Sequence, residues 1–341
     1  MPAACGPSPD SRATPPPVRS PIGSKDGEFL YGLSSSGVTR FARDPLTGRL
    51  TYKGCITGDT FSGPSGSGAC SEIPSAAPYG SDSGLADPTS LAISPDGEWL
   101  YVGGASTIAR FARDPAMGAL VYRGCITGNS GSGPAGSGAC LPIHGLFAVY
   151  LAMNPDGRFL YAAGSTGIST LVRDRTTGVL SFRGCITGDI ENGPSGSVGC
   201  SEIPSASRHG ALSGVRYINA VTMSPDGNSI YTAADRDAAV ARFAPAPQTR
   251  ITSAPRREIR KRRAAFKFRS GEPSTFECKL KGRHVRSKLS HWRRCGSESL
   301  GRRGKRRYRH LRPGQKVFRV RATNAAGTTD PTPAKRRWRV K

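Results

Sequence analysis

A segment that recurs four times limits what this chain can fold into more than any other feature of its sequence. Its copies read SKDGEFLYG from Ser24, SPDGEWLYV from Ser94, NPDGRFLYA from Asn154 and SPDGNSIYT from Ser224. A unit repeated at such a spacing folds as one supersecondary element that buries its apolar face against the next copy. The repeat therefore predicts a row of similar, adjacent units across residues 24–246.

Each unit reads as four short antiparallel strands. In the second unit, alternating apolar residues such as Leu91 and Ile93 indicate a first strand, and a Pro-Asp-Gly turn leads into EWLYV. TIARFAR follows as a third strand, and a D-P-x-x-G turn precedes ALVYRG as a fourth. This is the pattern of a β-propeller blade, so we predict about four blades. The first unit lacks a clear opening strand, and the fourth lacks a closing strand.

Cysteines bracket a Gly/Ser-rich segment that begins GCITG in each of the first three units, always 15 positions apart. Equal intervals in equal contexts favour local disulfides. The predicted bridges are Cys55–Cys70, Cys125–Cys140, Cys185–Cys200 and Cys278–Cys295, with Cys5 left over. Free structural thiols and metal binding are the alternatives, and metal is the weakest because these cysteines lack the close C-x-x-C or His neighbours of zinc sites. A local bridge of this length stabilises by roughly 3 kcal/mol in the loop-entropy model and indicates an oxidising compartment.

SPDGEWLYV followed by RFARDPAMGAL resembles the exported bacterial β-propeller proteins with YVTN-type or lactonase-like repeats. The GCITG segment resembles one bacterial subgroup of them. The resemblance implies an all-β, WD40-like propeller and export, but such propellers serve as enzymes, binding platforms and surface proteins alike. Residues 1–23 are Pro-rich without the charged and apolar regions of a signal peptide. We expect this start to be disordered, and truncated or misplaced relative to the exported protein.

The charge is confined to one end of the chain, since 30 of the 49 Lys and Arg residues but only 5 of the 24 acidic residues lie beyond residue 250. A neutral body joined to such a basic segment predicts two units with different electrostatic roles. We place a linker at residues 247–257 and a basic module at residues 258–341. No run is apolar enough to predict a transmembrane segment.

Strand alternation returns in the basic module, where apolar residues such as Phe266 and Phe318 alternate with Lys and Arg. This pattern predicts a small β-sandwich with a positive exterior. SGEPSTFECKL and FRVRATNAAGTTDPTPAKRRWRV resemble the immunoglobulin-like or fibronectin type III-like modules of secreted bacterial repeat proteins. The chain departs from that family in its wider cysteine spacing and in two basic insertions, 281–294 and 301–310, which we expect to be exposed loops.

These basic insertions are the candidate ligand site. The candidate polyanion-binding residues are Arg293, Arg294, Arg302, Arg303, Lys305, Arg306 and Arg307. A field of this density binds almost any polyanion. Because the cysteines indicate export, we expect an anionic polymer of the cell envelope or a membrane surface, with nucleic acid as the second candidate.

Three sets of propeller residues are weaker candidates. The first set can form a carboxylate ring or cap turns, and the turn role is favoured: Asp26, Asp96, Asp156 and Asp226. The second can bind an anion or pair with acids of the same blade, and pairing is favoured: Arg40, Arg110 and Arg242. The third can bind calcium but lacks dense oxygen ligands: Asp59, Asn129 and Asp189.

Catalytic motifs are scarce, because the five histidines occupy unrelated positions without H-E-x-x-H, G-x-S-x-G or phosphate-binding glycine patterns. The sequence therefore favours a non-catalytic exported or cell-envelope protein, tethered through its basic module. The alternative is a lactonase-like hydrolase with a site in the propeller channel. No cofactor, metal ligand set or catalytic residue is predicted, and the oligomeric state stays open.

Overall fold

The computed structural model describes residues 18–60, 70–80, 83–104, 106–128, 140–143, 145–191, 200–245, 247, 249–282, 285, 287–296, 299–324, 329–330 and 333–341. The chain divides into two units, Met1–Arg242 and Phe243–Lys341. Both consist almost entirely of β-strands. Among the described residues, the only α-helix is α1, Ser287–Ser290.

Four sheets follow one another in the first unit. Blade 1 contains β1 (Arg19–Gly23), β2 (Phe29–Leu33), β3 (Gly37–Arg43), β4 (Leu50–Asp59) and β5 (Cys70–Ala77). Blade 2 contains β6 (Pro88–Ile93), β7 (Trp99–Gly104), β8 (Thr107–Arg113), β9 (Leu120–Thr127) and β10 (Cys140–Pro142). Blade 3 contains β11 (Tyr150–Met153), β12 (Phe159–Gly164), β13 (Gly167–Arg173), β14 (Leu180–Asp189) and β15 (Cys200–Ser207). Blade 4 contains β16 (Ile218–Met223), β17 (Ile230–Ala234) and β18 (Ala239–Phe243).

The predicted propeller arrangement is confirmed by the order of these strands. Within each blade the first strands form an antiparallel meander, and the first strands of consecutive blades lie side by side. Alternate side chains of each central strand thus face the preceding and the following blade. In β7 and β12 every residue is buried, because both faces are covered by neighbouring blades.

The predicted turns join the first two strands of each blade, as Pro-Asp-Gly in blades 2 to 4 and as Lys-Asp-Gly in blade 1. In blade 2, the hydroxyl of Ser94 donates to Asp96 Oδ1, and the backbone N–H of Trp99 donates to Ser94 Oγ at 3.0 Å. The N–H of Glu98 donates to the same Asp96 oxygen at 3.3 Å. Gly97 adopts φ of 76°, a value that favours glycine. The turn-capping role of this aspartate position is therefore confirmed.

The cysteine segments return to their own blade as a fifth strand, which the sequence did not predict. Cys55 lies opposite Cys70 in a parallel pairing of β4 with β5, and the same register recurs in blades 2 and 3. All three predicted bridges are present, with Cα atoms 4.5, 4.5 and 4.4 Å apart. Parallel strands need a crossover of about a dozen residues or more, which explains the 15-residue interval. The crossovers at 61–69, 129–139 and 192–199 lie outside the described residues.

Blade 1 differs from the sequence prediction at its end of the propeller, whereas blade 4 agrees with it. The supposedly disordered residues 1–23 include β1, whose Ile22 pairs with Tyr31, so blade 1 does have an opening strand. Alternation was hard to detect in a strand of only five residues, RSPIG. Blade 4 lacks its fourth strand among the described residues, as expected.

The second unit is one folded-over sheet. Its strands are β19 (Thr249–Ser253), β20 (Glu258–Ile259), β21 (Ala264–Gly282), β22 (Arg293–Arg294), β23 (Gly301–Tyr308), β24 (Gly314–Asn324) and β25 (Ala334–Val340). The predicted linker at 247–257 is wrong where it overlaps β19, because Ile251 pairs with Phe268 of β21. Residues 249–253 thus form part of this unit.

The long strand β21 belongs to two layers, which gives the predicted β-sandwich. Its first half pairs with β19 and β23, and its second half pairs with β24 and β22. Phe318 of β24 is the register partner of Leu280, yet its ring stacks on Phe266 at 4.0 Å. The layers therefore face each other across an aromatic core. The fourth predicted bridge, Cys278–Cys295, lies in this core with its Cα atoms 5.8 Å apart.

None of the helices that the structure describes is long and apolar enough to span a membrane.

Candidate functional site

Two arginines that the sequence analysis did not single out connect consecutive blades. Arg113 donates from Nε to the hydroxyl of Tyr31 in the preceding blade at 2.7 Å, and its Nη2 lies 3.4 Å from Asp26. Tyr31 in turn donates to the carbonyl of Gly118 at 2.7 Å. The guanidinium also lies over the ring of Phe29, 5.3 Å from its centroid. We call this arrangement the blade latch.

A similar blade latch joins blades 2 and 3, although the Nε of Arg173 does not donate to the tyrosine hydroxyl. Arg173 forms an ion pair with Asp96, and the hydroxyl of Tyr101 donates to the carbonyl of Gly178 at 2.7 Å. Both arginine side chains are almost completely buried, at 1% and 0% exposure. Burial raises the pKa of Tyr101. Burial also acts to raise the pKa of Asp96, but the hydrogen bonds from Ser94 and Arg173 outweigh it and hold that pKa below its usual value. These tyrosines therefore stay neutral donors.

The favoured turn-capping role of the aspartates holds in blades 1 and 2, where they also bind arginines of the next blade, and the alternative carboxylate ring does not form there. Asp156 and Asp226 occupy the same turn position in blades 3 and 4. In blade 4 the second arginine of the R-F-A-R block is replaced by Pro245, so a third latch of this kind cannot form.

The predicted arginine set binds main-chain and hydroxyl oxygens rather than acids. Arg40 donates to the carbonyl of Lys53 at 2.7 Å, Arg110 donates to the carbonyl of Arg123, and Arg242 donates to Ser229 Oγ at 3.0 Å. The register between β3 and β4 shifts opposite Arg40, because β4 has one extra residue there. Gly54 of β4 accommodates this bulge with a positive φ. The bulge leaves a carbonyl for the guanidinium, and the expected pairing with an acid of the same blade is wrong.

The calcium candidates do not converge. Asp59 and Asp189 are buried near the ends of their strands, and Asn129 lies outside the described residues. In the part of the chain that the structure describes, no group of three or more His, Cys, Asp or Glu side chains is placed to hold a metal ion.

The predicted basic insertions prove to contain strands. Residues 301–308 form β23, with Tyr308 opposite Ala264 and Arg303 opposite Arg269 of β21. The exposed-loop prediction is wrong here, because pairing with the long strand β21 decides the conformation of a segment whose own composition is highly polar. Arg293 and Arg294 form the short strand β22, opposite Cys278 and Glu277.

β23 divides the candidate residues between two sides. Arg303, Lys305 and Arg307 are exposed, whereas Arg306 is half-buried with its guanidinium 5.6 Å from the ring centroid of Tyr308. Arg302 donates to the carbonyl of Gly271 at 2.8 Å.

One layer of the sandwich carries cations on its outer side. This first basic face consists of Arg250, Lys267, Arg269, Arg303, Lys305 and Arg307. Lys267 lies directly opposite Lys305, and Arg269 lies between Arg250 and Arg303 in register. Directly opposed residues bring their Cβ atoms to about 5 Å, where like charges repel. A cleft of about 790 Å³ opens along this face, with Lys267, Arg269, Arg303 and Lys305 on its walls.

The other layer carries a second basic face. It consists of Lys279, Lys281, Arg319, Arg321, Lys335, Arg337 and Arg339. Arg319 lies in register between Lys279 and Lys335. The cation of Arg337, together with burial and Arg319, lowers the pKa of Lys335. Burial, followed by the cations Lys281, Arg319 and Arg321, lowers the pKa of Lys279.

Few carboxylates balance these cations. Of the acidic side chains that the structure describes in this unit, Glu277 pairs with Arg321 at 2.7 Å, and Glu258 pairs with Lys341. Asp330 is buried and accepts the N–H of Thr249 at 2.7 Å. The unit thus presents two positive faces with in-register like charges.

No family model matches this sequence. No curated protein matches it either. Solved structures do resemble it, including a provisionally described 6-phosphogluconolactonase of Bacteroides uniformis, with 18% identity, a TM-score of 0.38, and coverage of 67% of this chain and 50% of that one. A functionally unknown protein of Desulfotomaculum acetoxidans has 13% identity, a TM-score of 0.42, and coverage of 68% and 56%.

The β-propeller domain of Swd1 from Myceliophteria thermophila has 10% identity, a TM-score of 0.35, and coverage of 93% of this chain and 86% of that domain. This chain spans about half the length of the first two structures. The similarities are too low to carry a functional argument. The blades themselves define the class, an all-β protein with a four-bladed propeller arrangement and a separate basic β-sandwich unit.

Proposed function

We propose that this chain is an exported, non-catalytic β-propeller protein whose basic unit tethers it to an anionic polymer of the cell envelope. The observation that supports the tether is the register of like charges across both basic faces. Opposed like charges destabilise a sheet by several tenths of a kcal/mol per pair. A linear polyanion that lies along the strands replaces this repulsion by attraction, so binding and folding of the unit reinforce each other.

The disulfides support export. Four bridges fit an oxidising compartment outside the cytoplasm. Anionic polymers of the envelope are the partner that a basic unit meets there, which favours them over nucleic acid. The immunoglobulin-like classification of the basic unit stays a prediction.

The tether is tested by titrating the full chain with long-chain polyphosphate over a fourfold range of salt. We expect the affinity to fall by orders of magnitude, because releasing counterions dominates such binding. The Gln variant of Lys267, Arg269, Arg303 and Lys305 removes four charges from the first basic face. For this variant, the slope of log affinity against log salt concentration should be smaller in magnitude by roughly three, since each charge contributes about 0.7.

A matched control removes four exposed charges from the propeller instead, at Lys25, Arg49, Arg123 and Arg183. We expect it to leave the slope unchanged. Equal slopes for the two variants, or an affinity indifferent to salt, would reject the tether. Preference for anionic vesicles over the soluble polymer would assign the faces to a membrane surface.

The lactonase-like hydrolase remains the alternative prediction. A panel of lactones and esters tests it, and turnover that survives further purification would replace the non-catalytic proposal.

A further inference from the structure

A third concentration of positive charge lies at one end of the basic unit, besides the two basic faces. A cleft of about 1420 Å³ opens there, and we call it the end cleft. Seven Lys and Arg side chains line it, and four of them are consecutive, from Arg260 to Arg263. The others are Arg256, Arg307 and Arg309, of which only Arg307 also belongs to the first basic face. No carboxylate is among the described residues that line the cleft.

Strand pairing brings the cations of the end cleft together from two separate parts of the chain. The register of β21 with β23 pairs Ala264 with Tyr308. Because these strands are antiparallel, the residues that precede Ala264 lie beside the residues that follow Tyr308. The N–H of Leu311 donates to the carbonyl of Arg262 at 3.0 Å and continues this contact beyond the strands. Two basic runs, 260–263 and 307–309, therefore line the same cleft.

Core residues fix the backbone on which these cations stand. Ile259, directly before the first run, pairs with β25, and Ala264, directly after it, is buried. In the second run Tyr308 is buried, and Leu311 is buried just beyond it. His310 between them has φ of 55°, a left-handed conformation that turns the chain back toward the core. A site whose backbone is already fixed loses less conformational entropy when a ligand binds.

The charge of the end cleft is not balanced within the described part of this unit. Glu258 and Glu277 are paired with cations outside the cleft, and Asp330 is buried. The side chains of residues 260–263 are all exposed. A concave site lined by charges of one sign focuses the electrostatic potential and concentrates small counter-ions.

We propose that the end cleft binds a compact group that carries two or more phosphates. Six of its seven cations are arginines, whose guanidinium groups bind phosphate through two parallel hydrogen bonds. A phosphate monoester carries about −1.5 to −2 charges at pH 7, so a few phosphates supply the negative charge that this many cations require. The two basic faces suit a long polymer, whereas a concave cleft suits a compact ligand. The proposal does not depend on the tether.

The test titrates the full chain with tripolyphosphate at physiological salt and measures binding by calorimetry. We expect one saturable site. The Gln variant of Arg260, Arg262, Arg263 and Arg309, the cleft variant, removes four exposed charges that lie outside the first basic face. It should weaken binding at least about 30-fold, because even one charge-assisted hydrogen bond contributes about tenfold or more.

The matched control is the Gln variant of Lys267, Arg269, Arg303 and Lys305, which removes the same number of charges from the first basic face. These side chains do not line the end cleft, and salt screens their charges over about 8 Å. The control should therefore weaken tripolyphosphate binding by less than about threefold.

Replacing the four arginines of the cleft variant by Lys instead keeps every charge but removes the bidentate hydrogen bonds. This Lys variant should bind tripolyphosphate about fivefold more weakly, as expected for the loss of a hydrogen bond. Its salt slope with long-chain polyphosphate should equal that of the unchanged chain.

Equal losses for the two Gln variants, absence of saturable binding, or unchanged affinity of the Lys variant would each overturn the end cleft. None of these results touches the tether, which is judged by the salt slope of the long polymer. Phosphatidylcholine vesicles that contain cardiolipin, whose headgroup has two phosphates, identify the source of the ligand. Competition with tripolyphosphate that the cleft variant loses supports a lipid headgroup, and saturable tripolyphosphate binding without such competition supports a soluble oligophosphate.

Discussion

Removing the Arg173 side chain tests how strongly consecutive blades hold each other. Arg173 donates to the carbonyl of Gly157 at 2.9 Å and pairs with Asp96 in the preceding blade. Breaking a fully buried ion pair costs about 3–5 kcal/mol. The cost is smaller here, because the Asp96 side chain is 34% exposed and water can hydrate it once the arginine is gone. We therefore expect Arg173→Met to lower the free energy of unfolding of the propeller by about 2–4 kcal/mol.

Arg43→Met is the matched control, because Arg43 occupies the same repeat position but is exposed and binds no other blade among the described residues. The effect of Arg43→Met on the free energy of unfolding should stay within about 0.5 kcal/mol. Urea unfolding gives the overall change, and hydrogen exchange in β7 and β12 reports the opening of this interface. Equal losses for the two variants would refute the role of the latch, and so would a loss below about 0.5 kcal/mol for Arg173→Met.

Three further predictions concern the turns and the bridges. Gly178→Ala should destabilise the propeller by about 1–3 kcal/mol more than Gly48→Ala in urea unfolding, because both sites have positive φ but only at Gly178 would the added Cβ meet a ring, that of Trp99, at 2.2 Å. Replacing Cys185 and Cys200 by Ser should cost roughly 3 kcal/mol and accelerate hydrogen exchange in β15. Hydrogen bonds from Ser and Asn neighbours lower the pKa of Asp226 to about 2, so its stabilising effect should be complete above pH 4 and vanish as pH falls through about 2, as NMR titration can measure.

The turns of the propeller were predictable because their causes are local. Pro-Asp-Gly fixes a hairpin through a pyrrolidine ring, a carboxylate cap and a positive φ, all within a few residues. The fifth strand was not predicted, since its partner lies across a crossover. The signal was present nonetheless: an interval of 15 residues between Cys55 and Cys70 matches the shortest crossovers of parallel pairs.

The strand β23 escaped prediction for a different reason. In GRRGKRRY, both the exposed Lys305 and the half-buried Arg306 are basic, so the alternation between the two sides does not show in hydropathy. The inward positions are filled by Gly304 against the ring of Phe268, and by Tyr308. Pairing with β21 thus overrides the polar composition of the segment.

Arginine has opposite roles in the two units, and composition does not distinguish them. The guanidinium of Arg113 contacts the ring of Phe29, the hydroxyl of Tyr31 and a carboxylate, and that of Arg173 binds the carbonyl of Gly157 and a carboxylate. Each buried arginine therefore stabilises one interface and is withheld from any ligand. On the basic faces, Lys267 and Arg269 stand opposite other cations, Lys305 and Arg303, so their charges are not balanced across the sheet. The net charge of +25 measures only this second role, because the body of the chain balances its own charges. The propeller thus uses its buried arginines to join its own blades, whereas the cations of the sandwich are the ones that we propose to bind a polyanion.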